Sequence, residues 1–177
     1  MPFADLDVRF PVRQERMREL GFQKFSVPFV AELAKPGDAR RIPPDAGLAV
    51  ACSPDVELLR EAARSSRARL LFSPAFQPDV GLIREAAEKG KAFELPVSPL
   101  LQSAGIQRAM LMGKMRFFAR LCLKLGAPIV MVSQAGDGFG LKSPREMVAV
   151  GQSLGLSRDQ AEWSMTEAAE LVLDASR

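Results

Sequence analysis

A chain of 177 residues without histidine or tyrosine lacks the commonest metal ligand and near-neutral acid/base, which excludes Ser-His-Asp and Cys-His catalysis and histidine-rich metal sites. Ordinary proportions of hydrophobic (47%) and charged (25%) residues exclude wholesale disorder and suit one domain, residues 1–177, with a full core. The net charge of +3 is unevenly spread: residues 91–145 hold eight Lys and Arg against Glu94 and Asp137, whereas residues 146–177 hold two against six acids.

Met1–Asp5 lacks the basic and apolar regions of a secretory leader. From there, short apolar runs alternate with helical patterns, as in an α/β domain with a largely parallel sheet. Strands are expected over Ala4–Phe10, Lys24–Phe29, Gly47–Ala51, Arg69–Phe72, Ala92–Val97 and Pro128–Val132. Helices are expected over Val12–Leu20, Pro54–Ser65, Asp79–Lys89, Gly105–Leu125 and Pro144–Leu154, with a last one over Thr166–Asp174 after a very short strand near Glu162–Ser164. The Pro-, Gly- and charge-rich Ala34–Asp45 reads as a loop. Ser143-Pro144-Arg145-Glu146 is a full capping box, Ser157-Arg158-Asp159-Gln160 repeats it with Gln, and Ser53-Pro54-Asp55 opens another helix.

About six or seven β/α units suit a closed barrel better than an open sheet, although an ordinary eightfold barrel needs roughly 200 residues or more. The expected fold is therefore a TIM-barrel-like β/α barrel reduced in size, with an open doubly wound sheet as the alternative. The longest apolar run, Ala127–Val132, is too short to span a membrane. Cys52 and Cys122 lie apart in apolar surroundings and read as reduced, buried thiols of a cytoplasmic protein.

The helix GIQRAMLMGKMRFFARLCLKL, Gly105–Leu125, dominates the charge map. Arg116, Arg120 and Lys124 fall in register at i, i+4 and i+8, with Arg108 beside them. Met110, Leu111, Met115, Phe118, Leu121, Cys122 and Leu125 form the wide apolar face expected to meet the core. Like charges at i,i+4 cost a few tenths of a kcal/mol each, so either solvent screens the column or an anion lies across it. Lys114 projects beside the apolar side, as a snorkelling lysine or as a charge for a phosphate at the barrel rim. Lys142 and Arg145 sit at a helix start, against the dipole. That position suits a well-capped helix or an anion site.

The loop Ser133–Gly140, SQAGDGFG, is either a plain connection or a set of backbone amides for a phosphate. Asp5 and Asp7 share one face of the first strand. They read as a weak divalent-ion signal, or as a polar end of the barrel paired with Arg9. Phe117, Phe118 and Trp163 read as core or interface aromatics.

DLDVRFP (Asp5–Pro11), VSPLLQS (Val97–Ser103), RAMLMGKMRFFARL (Arg108–Leu121), APIVMVSQAGDG (Ala127–Gly138) and LKSPREMVAVGQSLGL (Leu141–Leu156) together resemble archaeal ribonuclease P protein component 3. The likeness covers nearly all of the C-terminal half and is looser before it. It implies a barrel similar to that of polymerase-and-histidinol-phosphatase (PHP) hydrolases. Those enzymes hold metals with clustered histidines, so a chain without histidine implies a scaffold.

The resemblance further implies a non-catalytic subunit bound to ribonuclease P RNA. In such a complex the RNA, with Mg2+, removes the 5′ leader from precursor tRNA. A second small protein subunit is implied, in a heterotetramer, with no cofactor on the protein itself. Arg145 matches an arginine suspected of RNA binding, and Arg108 matches a basic position. The candidate RNA-binding set is thus Arg108, Lys114, Arg116, Arg120, Lys124, Lys142 and Arg145. Two other readings stay open: a small barrel enzyme acting on a phosphorylated metabolite through Asp5, Asp7, Lys114 and the Ser133 loop, and a scaffold whose basic helix docks an acidic protein without touching RNA.

Overall fold

The computed structural model describes residues 2–65 and 67–175, so Met1 of the leader reading, Ser66 and the last two residues of the expected 1–177 domain lie outside the described residues. The chain runs β1 (Ala4–Asp5), α1 (Gln14–Leu20), β2 (Lys24–Phe25), β3 (Phe29–Glu32), β4 (Ala49–Cys52), α2 (Val56–Ser65), β5 (Leu70–Phe72) and α3 (Val80–Glu88). It continues through β6 (Ala92–Pro96), α4 (Ser98–Gln102), α5 (Gly105–Leu125), β7 (Ile129–Val132), α6 (Pro144–Ser153), α7 (Arg158–Met165) and α8 (Glu167–Ala175). All strand pairs are parallel: β1 with β2, and β3 to β7 in chain order. Strands β4, β5, β6 and β7 are buried almost throughout, as parallel strands covered on both faces must be.

Two seams turn this sheet into a ring. Val8 bridges Ala135 just beyond β7, where the Gln134 amide donates to Asp7 O at 2.9 Å and the Arg9 amide to Ala135 O at 2.8 Å. On the other side, residues 24–32 serve two neighbours. Their first part pairs with β1 and their second with β4, where the Phe29 amide reaches Leu48 O at 2.9 Å. The expected single strand Lys24–Phe29 is broken because Pro28 has no N–H to give to a ladder. The result is a closed, six-staved parallel β/α barrel of reduced size.

Three other expectations change. The short strand near Glu162–Ser164 is helical, because the capping box at Ser157 starts α7, which runs through it. A 3-10 turn at Asp38–Arg41 interrupts the Ala34–Asp45 loop, and Asp38 Oδ2 accepts the Ala34 and Lys35 amides at 3.0 Å. The short α4, with Pro99 in its first turn, was not expected.

Helix α5 has the expected bounds and, except at Met110, the expected core face. Met115, Phe118, Ala119 and Cys122 are buried, all in its C-terminal half. Phe118 packs edge-on against Phe93 of β6 at 5.2 Å and against Phe76 at 6.0 Å. Leu111, Leu121 and Leu125 are half-buried against the core, whereas residues 105–110 are exposed on every side, so of the expected face only Met110 is left outside. No helix among the described residues is long and apolar enough to cross a membrane.

Candidate nucleic-acid interface

The seven candidate cations lie on α5, on α6 and on the loop that joins β7 to α6, and they are not equivalent. Lys114, Arg120, Lys124 and Arg145 are exposed. Among the described residues none of these four has a side-chain hydrogen bond or ion pair. The others are partly engaged. Arg116 Nη2 donates to Ser153 O at 2.8 Å, which ties α5 to the C-terminus of α6, where a cation also suits the helix dipole. Arg108 Nε donates to Ser103 O at 2.8 Å. Lys142 is half-buried, and its Nζ donates to Phe139 O at 2.8 Å and to Leu141 O at 3.1 Å, closing the loop before α6.

Local chemistry fixes where these groups stand. Ser143 Oγ accepts the Glu146 amide while the Glu146 carboxylate accepts the Ser143 amide at 2.8 Å, so the capping box is complete and starts α6 at Pro144. Those hydrogen bonds from Ser143 hold the Glu146 carboxyl below the usual range. Arg145 therefore leaves the first turn of α6 with its guanidinium free. Arg116 meets the other end of α6, about 12 Å further along at 1.5 Å per residue. Arg108 and Lys124 are about 24 Å apart along α5 by the same rise. The seven cations thus form a long flank and not one pocket. No carboxylate stands in the sequence between Glu94 and Asp137, so its α5 part carries no acid, while Arg145 stands next to the exposed Glu146 on α6.

The polar groups inside the barrel are of the opposite sign. Asp5, Asp7 and Glu94 are buried. Asp7 takes the Arg9 guanidinium through both carboxylate oxygens, at 2.9–3.2 Å, and Arg9 also lies over the Phe72 ring at 5.9 Å. Asp5 Oδ1 accepts the Ser133 amide at 3.0 Å, and its Oδ2 has no partner. Burial raises the Asp5 pKa to about 6. Glu94 Oε2 accepts from Gln134 Nε2 at 2.8 Å while Oε1 has no partner. Burial, and then the nearby Asp7 charge, push its pKa well above the usual carboxylate range.

Among the described residues no group of three or more His, Cys, Asp or Glu is placed to hold a metal ion; Asp7 is committed to Arg9. Sequence reasoning missed Glu94 as an interior residue. Its signal was available: a lone charge inside the otherwise apolar strand AFELP.

Five of the eight amides of the Ser133–Gly140 loop already have acceptors within the protein. The amides of Ser133, Gln134 and Ala135 donate to Asp5 Oδ1, Asp7 O and Ser133 Oγ. Those of Phe139 and Gly140 go to Asp137 Oδ1 at 2.9 Å.

Fold and flank define the class: a reduced parallel β/α barrel bearing a cationic strip along two of its helices. Residues 46–177 match the family model of RNase P subunit p30, and the chain belongs to that family. Ribonuclease P protein component 3 of Methanosarcina acetivorans is 32% identical over 122 residues, 67% of this chain and 51% of the relative. The same component of Methanosarcina barkeri is 33% identical with the same coverage. The chain thus spans about half the length of the curated relatives it matches. Among solved structures, a chain in the cryo-EM structure of archaeal Ribonuclease P with mature tRNA has a TM-score of 0.77 over 98% of this chain and 80% of that one. At 18% identity, that likeness concerns the fold.

Proposed function

We propose that this chain is a non-catalytic protein subunit of ribonuclease P in the cytoplasm. It binds the catalytic RNA and lowers phosphate repulsion along that RNA. The holoenzyme removes the 5′ leader from precursor tRNA, and the Mg2+ that this cleavage uses belongs to the RNA. A second small protein subunit completes a heterotetramer.

One observation carries the reading: Arg120 and Lys124 stand free on α5, which carries no carboxylate along its length, and the Arg145 side chain stands free at the start of α6 beside the capping Glu146. Arginine can fork onto phosphate or stack on a base, and such contacts hold RNA by its backbone and shape. Arg116 and Lys142 support the strip while also bracing α6, and Arg108 and Lys114 extend its field towards the start of α5. The interior acids weigh against a barrel enzyme acting on a phosphorylated metabolite, since an anion there would approach Asp5, Asp7 and Glu94.

Titrating ribonuclease P RNA binding against salt tests this. The logarithm of the binding constant should fall by roughly 0.7–0.9 per phosphate neutralised for each decade of salt. Arg145→Ala should weaken binding and make the slope shallower by about one such unit; an unchanged affinity and slope would remove Arg145 from the interface.

A further inference from the structure

We infer that the N-terminal half of α5 is a docking surface for a different protein, one that sets aliphatic side chains among Asp and Glu. The core direction of α5 is given by Met115, Phe118 and Cys122. On the opposite side, Ile106, Met110, Gly113 and Phe117 follow at steps of four, three and four residues, with Arg120 and Lys124 continuing the line. A surface helix should be polar along that line. Instead Ile106 is 79% exposed, Met110 62% and Phe117 56%, and Leu101 of α4 is 44% exposed just before them. Gly113 lies in the middle, and a Cβ there would meet nothing within 4 Å. The barrel thus supplies no packing reason for this glycine, and it leaves a notch between Met110 and Phe117.

Charge selects the occupant. The first turn of α5 holds no acid, and its N-cap Ala104 offers no side-chain acceptor, so the positive end of the helix is uncompensated. Arg108 and Lys114 border the same half. A partner with carboxylates around an apolar ridge answers both the charge and the exposed side chains. RNA answers the charge and could stack a base on the Phe117 ring, but it leaves Ile106, Met110 and Leu101 unanswered, since these present no ring or guanidinium plane. The inference adds a protein surface to the RNA-binding strip and stands without the ribonuclease P reading.

The test uses the full-length chain, tagged and expressed in its native cells, with a benzophenone side chain at position 110. The particle is purified and irradiated, and the crosslinked product is sequenced. The expected result is a link to one other polypeptide, within a segment that mixes Asp or Glu with aliphatic residues. Gly113→Leu should cut that yield at least tenfold with an unchanged circular dichroism spectrum, since it fills open space away from the core.

A link into RNA, a link into the acidic α7–α8 face of a second copy of this chain, a link into a segment without acids, or no link at all would each overturn the inference. RNA co-purifying with the particle is scored separately. A protein link without ribonuclease P RNA would therefore sink the proposed function and spare this inference.

Discussion

Asp5 accepts the Ser133 and Asp7 amides through one carboxylate oxygen and leaves the other without a partner, while burial lifts its pKa from 3.8 to about 6. Between those values the folded state binds more protons than the unfolded one, so stability falls as pH rises through that window and does not recover above it. Asp5→Asn keeps an acceptor for the Ser133 amide and carries no charge. It should raise stability at pH 7 by roughly 1–3 kcal/mol, at about 1.4 kcal/mol per pKa unit, and the gain should vanish near pH 4. Urea unfolding of both proteins at the two pH values checks this; an equal gain at both would rule out buried charge as the cause. Glu94, raised by burial and by Asp7, is the companion case. Cys52, half-buried with its thiol pushed up to about 11 by that burial, is a poor nucleophile at neutral pH.

Two helical glycines, Gly113 in α5 and Gly151 in α6, show how the same residue type serves opposite ends. A Cβ on Gly151 would lie 2.8 Å from Met131 Sδ and 2.9 Å from Ala161 Cβ, so the glycine lets α6 press onto β7 and α7. Gly151→Ala should therefore destabilise the fold by about 1–3 kcal/mol through overpacking. Gly113→Ala meets nothing and should stabilise the isolated chain by about 1 kcal/mol, the ordinary helix-interior difference. Thermal melts of the two variants check the contrast, and shifts of the same sign would show that one of the two surroundings is misread. The sequence offers only a glycine at each place. Its packing neighbours come from elements far along the chain.

The whole molecule separates its charge. The block at 91–145 is cationic and the stretch from 146 onwards is acidic, so a polyanion should meet α5 and avoid α8. Arg120→Ala combined with Lys124→Ala should lower ribonuclease P RNA affinity about tenfold at low salt. Glu167→Gln with Asp174→Asn, on α8, should change it less than twofold. Filter binding of the two double variants at one low salt concentration checks this, and equal effects would mean that net charge matters and its placement does not. Lys24 of β2 pairs with Glu170 of α8, so the acidic C-terminal helix also closes over the barrel seam that begins the chain.

Local chemistry was enough for much of this protein. Gly105–Leu125 has the same bounds in the sequence and in the structure, ended by Gly126 in the left-handed conformation at φ 78°, and α6 starts where the Ser143 box puts it. Parallel strands buried on both faces announce themselves as short apolar runs, and the absence of histidine closed whole classes of chemistry. Three things needed the tertiary structure. The ring closes through Val8 and Ala135, residues far apart in the chain whose pairing no local pattern encodes. The stretch from Lys24 to Glu32 serves two neighbours, which only the positions of β1 and β4 decide. Last, an apolar stripe reads the same whether its own core or another molecule covers it, so only the placement of the barrel shows that Ile106, Met110 and Phe117 are left outside.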